Sequence, residues 1–209
     1  MLLYCLAEME LNMNKKLKVF LISMLAFFTL AFIAFYNGLI VRNYNIQTHK
    51  ISSDNPITIV LISDLHSCIY GENQKDIVSR IAKQNPDIIL LAGDIADDYN
   101  PIIGTELFLD GIKDIAPIYY VSGNHEFWSG EIEKIKDTIR GYGVTILESS
   151  YVITSVRGNR VLISGIDDPD KERYSKGYSE SESMEKAFER LSKMDCYKIL
   201  LAHRQERIY

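Results

Sequence analysis

Cysteine is scarce: Cys5, Cys68 and Cys196 are the only three in 209 residues, and no CxxC pair occurs. That excludes a disulfide framework and a cysteine-ligated structural zinc site, and all three read as free thiols. A basic excess is also lacking. Lys and Arg total 23 against 28 Asp and Glu, a formal net charge of -5, so no nucleic-acid partner is expected. No internal repeat or low-complexity tract is present, and no GxGxxG follows the first apolar run, which argues against a nucleotide-cofactor binder. Histidine numbers only four, so where each one falls is informative.

What the chain does have is a long apolar run. "VFLISMLAFFTLAFIAFY" (19–36), extended through "NGLIV" to Val41, is uncharged and has no polar face. A helix needs about 20 such residues to cross a bilayer core, so 19–41 is expected to be a transmembrane anchor rather than a buried core helix. A cleaved signal peptide is the closer rival, because Lys15, Lys16 and Lys18 precede the run; yet no small-x-small pair closes it, and Ala31 and Ala34 have the wrong spacing. Three lysines before the span against Arg42 and Lys50 after it favour a cytoplasmic N-terminus. The expected location is therefore the cell membrane, single-pass, with an extracytoplasmic domain. Residues 1–18 form an N-terminal tail. "MNKKLKVF" from Met13 looks like a natural beginning and 1–12 do not, so translation is expected to start at Met13.

Residues 42–55, ending in "SSDN" before Pro56, read as a linker, and 56–209 as one domain. Within it, apolar runs alternate with amphipathic ones. Strands are expected at 57–63, 87–93 and 117–123, and helices at 73–85, 105–115 and 131–143. Such alternation means a mainly parallel sheet buried on both faces. Three short strands within 144–166, "VTILES", "YVITSV" and "RVLISGI", with a turn at "RGN", point to a second, partly antiparallel sheet. A helix over 182–194 leads to a last strand, "YKILLA" (197–202).

In open α/β sheets ligands bind beyond the carboxyl ends of the strands. There the chain carries Asp64-Leu65-His66, Gly93-Asp94, Gly123-Asn124-His125-Glu126 and Ala202-His203. Each alone has an ordinary explanation: Asp caps helices, Gly-Asp makes turns and a lone histidine is usually satisfied in a core. Together they are harder to dismiss, since three of the four histidines fall directly after strands and only His49, in the linker, is left over. Carboxylate, imidazole and amide oxygen form a mixed donor set suited to Mn, Fe, Zn or related divalent ions. Asp94 is the candidate to bridge two of them.

"SDLH", "GDIADD", "GNHE" and "LLAHRQE" resemble, in order and spacing, the motifs of the calcineurin-like metallophosphoesterases, above all the membrane-associated bacterial branch. The resemblance runs from about Ile57 to the end of the chain. It implies a two-sheet α/β/β/α sandwich and a phosphoester hydrolase that uses a dinuclear metal centre and metal-activated water. Asp64 and His66 would hold one ion, Asp94 would bridge, Asn124 and His203 would hold the second, and His125 would be the catalytic residue stabilising the phosphoryl group or protonating the leaving oxygen. Phosphoester small molecules or lipid-linked phosphoesters are the implied substrates. Asp97, Asp98 and Glu126 read equally as partners of the ligands and as solvated surface. Gln205 stands where the family's "HRPE" has proline.

The family's GHxH motif, one histidine for each ion, does not occur before Tyr209, so five of seven expected ligands are present. The alternative expectation is a truncated, catalytically inactive member that acts as an anchored remnant or binding module.

Overall fold

The computed structural model describes residues 14–34, 38–174, 189 and 191–204. The expected start at Met13, nearly all of the helix expected over 182–194, and Gln205 lie outside the described residues. Two compact units divide between Arg42 and Asn43. In the first, helix α1 (Lys15–Ala34) begins where the Asn14 side chain accepts the Lys16 N–H at 3.1 Å, an N-cap that lets helix form ahead of the apolar run. Its 20 residues are long and apolar enough to cross a bilayer.

The second unit is a mixed α/β fold with two sheets. Strands β1 (Ile59–Ile62), β2 (Ile88–Ala92), β3 (Ile118–Val121) and β4 (Thr145–Ile146) form the first sheet in that order, all parallel. Parallel neighbours need crossovers, supplied by α2 (Lys75–Lys83), α3 (Ile103–Ile112) and the pair α4 (Asn124–Trp128) and α5 (Ile132–Gly141). The helices bury an apolar stripe: Ile77 and Ile81 on α2, Phe108, Leu109 and Ile112 on α3, Ile135 and Ile139 on α5. All five β2 residues are buried, as the continuous apolar run predicts for a strand covered on both faces.

The second sheet has the order β5 (Ser150–Val156), β6 (Asn159–Gly165), β7 (Tyr197–Leu201). β5 and β6 form an antiparallel hairpin across Arg157-Gly158, both at positive φ (48° and 78°), as a two-residue primed turn requires. β7 runs parallel to β6. The sheets pack face to face through Ile88, Leu90, Ala92, Tyr119 and Val121 from the first and Val161, Ile163 and Leu201 from the second, with Leu147 between. On the other face of β6, Leu162 packs with Leu191 and Cys196. Helix α6 (Lys171–Tyr174) follows β6.

The structure corrects the reading of 144–166 in one respect. "VTILES" supplies β4, which joins the first sheet beside β3 and not the second. Only two of its residues pair, and pairing with a strand some 25 residues earlier is a tertiary choice that local alternation does not encode.

Gly104, in the first turn of α3, lies where a Cβ would fall 1.8 Å from the Ser67 carbonyl oxygen, in the loop that follows β1. Buried Gln74 ties the same two segments by donating to the Cys68 and Gly104 carbonyls at 2.6 and 2.9 Å. Alanine would gain about 1 kcal/mol of helix propensity but would overpack against backbone, which costs about 1–3 kcal/mol. Gly104→Ala is therefore expected to lower the urea midpoint of the detergent-solubilised chain, followed by Trp128 fluorescence. A raised midpoint would show that α3 does not sit this close.

Candidate metal centre

Three loops converge at the carboxyl ends of β1, β2 and β3, and a fourth arrives from β7 of the other sheet. The loop after β1 is bonded to the loop after β2 by backbone: Asp64 N–H to Gly93 O (3.2 Å), His66 N–H to Asp94 O (2.8 Å) and Ser67 N–H to Ile95 O (3.0 Å). This pairing holds Asp64, His66 and Asp94 at φ of 55°, 49° and 53°, the left-handed region that non-glycine residues seldom occupy. Such conformations persist where the surroundings over-determine them, commonly at functional sites.

The β2 loop is in turn gripped by Glu126. It sits three residues past Gly123, in the first turn of α4, and its carboxylate is fully buried. Glu126 accepts backbone N–H groups from Asp94 (2.9 Å), Ile95 (2.7 Å), Ala96 (3.0 Å) and Gly123 (2.9 Å). Burial and the neighbouring Asp94 charge push its pKa up to about 7 against those donors. Two glycines make the approach possible. A Cβ on Gly93 (φ 79°) would lie 2.7 Å from Gly123 N and 2.8 Å from His203 Cβ, and one on Gly123 would lie 2.2 Å from Asp94 Oδ1.

Asp94 lies at the centre. Its Oδ1 accepts the His125 N–H at 2.9 Å, while Oδ2 faces His203 Nε2 at 3.2 Å and His66 Nε2 at 3.8 Å. Asp64 Oδ1 lies 4.0 Å from His66 Nε2. The opposite nitrogen of each ring is already committed: His203 Nδ1 donates to the Ala92 carbonyl at 2.8 Å, and His66 Nδ1 to Asp97 Oδ1 at 3.0 Å. With Nδ1 the donor, a neutral ring would turn its Nε2 lone pair toward a carboxylate oxygen. Two electron-pair donors facing each other require a positive species between them, a proton or a metal ion. The residues present therefore fit a divalent cation. Burial opposes the charge on His203, but its bond to Asp94 prevails and pushes its pKa up to about 9. Burial likewise works against the Asp94 anion, which His203 and His125 nevertheless draw below the usual carboxylate range.

Among the described residues, two groups bring ligand atoms within 4.8 Å of one another: Asp64, Asp94 and His203, and His66, Asp97 and His125. In the second, Asp97 Oδ1 is the shared acceptor for His66 Nδ1 (3.0 Å) and His125 Nδ1 (3.2 Å), so its contacts orient the two rings. Asp98 Oδ1 holds His125 Nδ1 more closely, at 2.7 Å. Partial burial disfavours an imidazolium at His125, yet Asp98, Asp94 and Asp97 outweigh it and raise its pKa. The His66 and His125 rings meet edge to face at 4.4 Å.

The structure thus gathers Asp64, His66, Asp94, His125 and His203, and sets buried Asn124 between Gly123 and His125 as the first residue of α4. The solvated-surface alternative for Asp97, Asp98 and Glu126 is overturned: their side chains are mostly or wholly buried and bonded to the site. His49 has no part in either group.

A further set escaped the sequence. Asp168 is salt-bridged to Arg204, the residue after His203, with a Nε–Oδ2 distance of 2.6 Å. Ser122, at the end of β3, donates to Asp167 Oδ1 at 2.9 Å, and Lys171 bonds its Oδ2 at 2.6 Å. Asp170 accepts the Trp128 indole N–H at 2.7 Å. The available signal was "DDPD" directly after an apolar strand, an acidic run beside a sheet edge.

Residues 57–207 match the family model for calcineurin-like phosphoesterases. A transmembrane protein with metallophosphoesterase domain from Bos taurus is 26% identical over 138 residues, 61% of this chain and 31% of that protein. An uncharacterized metallophosphoesterase of Helicobacter pylori is 30% identical over 126 residues, 56% of this chain and 33% of its own. The protein YpbG of Bacillus subtilis is 25% identical over 132 residues, 61% of this chain and 48% of that one. The chain thus spans between 31% and 48% of the length of these relatives. Among solved structures, TT1561 of Thermus thermophilus aligns with a TM-score of 0.43 at 15% identity, over 70% of this chain and 71% of that one. With the family match running from just before β1 past the last described residue, the chain belongs to the calcineurin-like phosphoesterases.

Proposed function

We propose that the chain is a membrane-anchored hydrolase of phosphoesters that works with two divalent ions. The observation that carries this is the convergence of His66 Nε2 and His203 Nε2 on one carboxylate oxygen of Asp94, with each ring's other nitrogen tied back. In this reading Asp64, His66 and Asp94 hold one ion, and Asp94, Asn124 and His203 the other. Mn, Fe and Zn all suit the donors. Bound there, the ions would neutralise the phosphoryl oxygens and activate water.

The remaining chemistry belongs to the side chains. Asp98 and Asp97 fix His125 through Nδ1, which leaves Nε2 to carry a proton to the leaving oxygen, and the neighbouring carboxylates favour the protonated ring. Asp97 does the same orienting for His66, so one buried carboxylate sets two rings. The substrate is a small or lipid-linked phosphoester. The apolar α1 supports attachment at the cell membrane, spanning once between a short tail (1–18) and a linker (42–55), and the excess of Lys15, Lys16 and Lys18 before the span favours a domain on the outer side.

Hydrolysis of bis(4-nitrophenyl) phosphate by the detergent-solubilised chain is expected to stop on chelation and to return on adding Mn²⁺. Turnover indifferent to chelator would sink the proposal. Asp94→Asn should lower that rate by at least about a hundredfold, and Asp97→Asn should weaken metal affinity by about 10–100-fold, read by metal titration. In intact cells, protease added from outside should degrade the domain while the lysines before α1 remain protected. Full protection of the domain would reverse the assigned topology.

A further inference from the structure

We infer that Trp128 is a specificity-determining residue that stacks against a planar leaving group of the substrate. The inference rests on the phosphoesterase reading above and deepens it. Trp128, the only tryptophan of the chain, closes α4. Its ring centroid lies 4.7 Å from that of His125, tilted by 46°. Trp128 is nevertheless 44% exposed, unlike Phe108, Tyr120 and Phe127, which are fully buried.

An exposed indole would ordinarily sample several rotamers. This one is pinned, because its N–H donates to Asp170 Oδ2 at 2.7 Å, and the Oδ1 of Asp170 faces Arg204 Nη2 at 3.2 Å. Asp170 is itself buried, and its N–H is held by Asp168 at 2.9 Å. A rigid aromatic with its polar edge satisfied and its surface open loses little entropy when a second ring stacks on it. Its neighbour decides which part of the substrate arrives there. His125 is bonded through its N–H to Asp94 Oδ1 at 2.9 Å and its ring lies against the indole, so a group that leaves phosphorus on the His125 side of Asp94 runs alongside Trp128.

Phenylphosphonate and methylphosphonate, which present the same anion with and without a ring and are not turned over, separate the contributions. Their binding to the full detergent-solubilised chain loaded with Zn²⁺ is measured by calorimetry. Phenylphosphonate is expected to bind about tenfold more tightly than methylphosphonate and to shift the Trp128 emission, which methylphosphonate leaves unmoved. In Trp128→Ala the preference should fall to about twofold or less, and Trp128→Phe should keep an intermediate value. Equal binding of the two by the native chain, or a preference that survives in Trp128→Ala, overturns the inference and leaves the phosphoesterase reading standing. Binding of neither anion overturns both.

Discussion

One buried carboxylate sets the geometry of the site. Glu126 gathers four backbone N–H groups from two loops in a fully buried position. Without it, Asp94, Ile95 and Ala96 would turn three donors toward an apolar interior, each at a cost of about 1–3 kcal/mol. With it, the β2 loop becomes a fixed template. The β1 loop is laid along that template by three backbone bonds, and His125 is hung from Asp94 Oδ1. Position therefore passes from Glu126 to Asp94 and from Asp94 to Asp64, His66 and His125.

The same clamp explains how the chain tolerates three ligand candidates in left-handed backbone. Each such residue costs about 1–3 kcal/mol relative to a relaxed conformation, and a lone loop would shed that strain by rearranging. Here the peptide groups that would have to turn are those bonded between the β1 and β2 loops, or to Glu126. The strain buys direction: Asp64 and His66, only two residues apart, both face Asp94, which a regular strand would achieve only by continuing past the sheet edge. Close approach of backbones at Gly93 and Gly123 completes the arrangement, since a methyl group at either would displace Gly123 or Asp94.

The sequence was legible where local pattern and tertiary outcome agree. The apolar runs at 57–63, 87–93 and 117–123 contain β1, β2 and β3, and the runs at 73–85 and 131–143 contain α2 and α5, while α3 begins two residues before the expected 105–115, because burial on both faces and on one face leaves different periodicities. Candidate ligands were legible because they follow those runs directly. Less visible was α4, whose five residues are too few to show a period and whose first turn coincides with the site motif. The burial of Asp97 and Asp98 was illegible for a different reason: a charged residue is placed inside only by its partners, and those partners, His66 and His125, lie about 30 residues away in the chain. The same holds for Asp168 and Arg204, paired across 36 residues.

Those long-range pairs matter because His203 belongs to the second sheet and the other candidate ligands to the first. Apolar packing between the sheets is non-directional and would allow a slide of an ångström or more, enough to carry His203 Nε2 away from its 3.2 Å separation from Asp94. Polar contacts at the carboxyl edge resist that slide. Ser122 at the end of β3 bonds Asp167 beyond β6, buried Lys136 of α5 lies 3.9 Å from the same carboxylate and 2.8 Å from Glu148, and Asp168 fixes Arg204 beside His203. A buried charge such as Lys136 adds little net stability, since its desolvation offsets most of the attraction. Its contribution is directional: it selects one register between the sheets, the one in which a histidine from β7 and carboxylates from β1 and β2 meet at a common point.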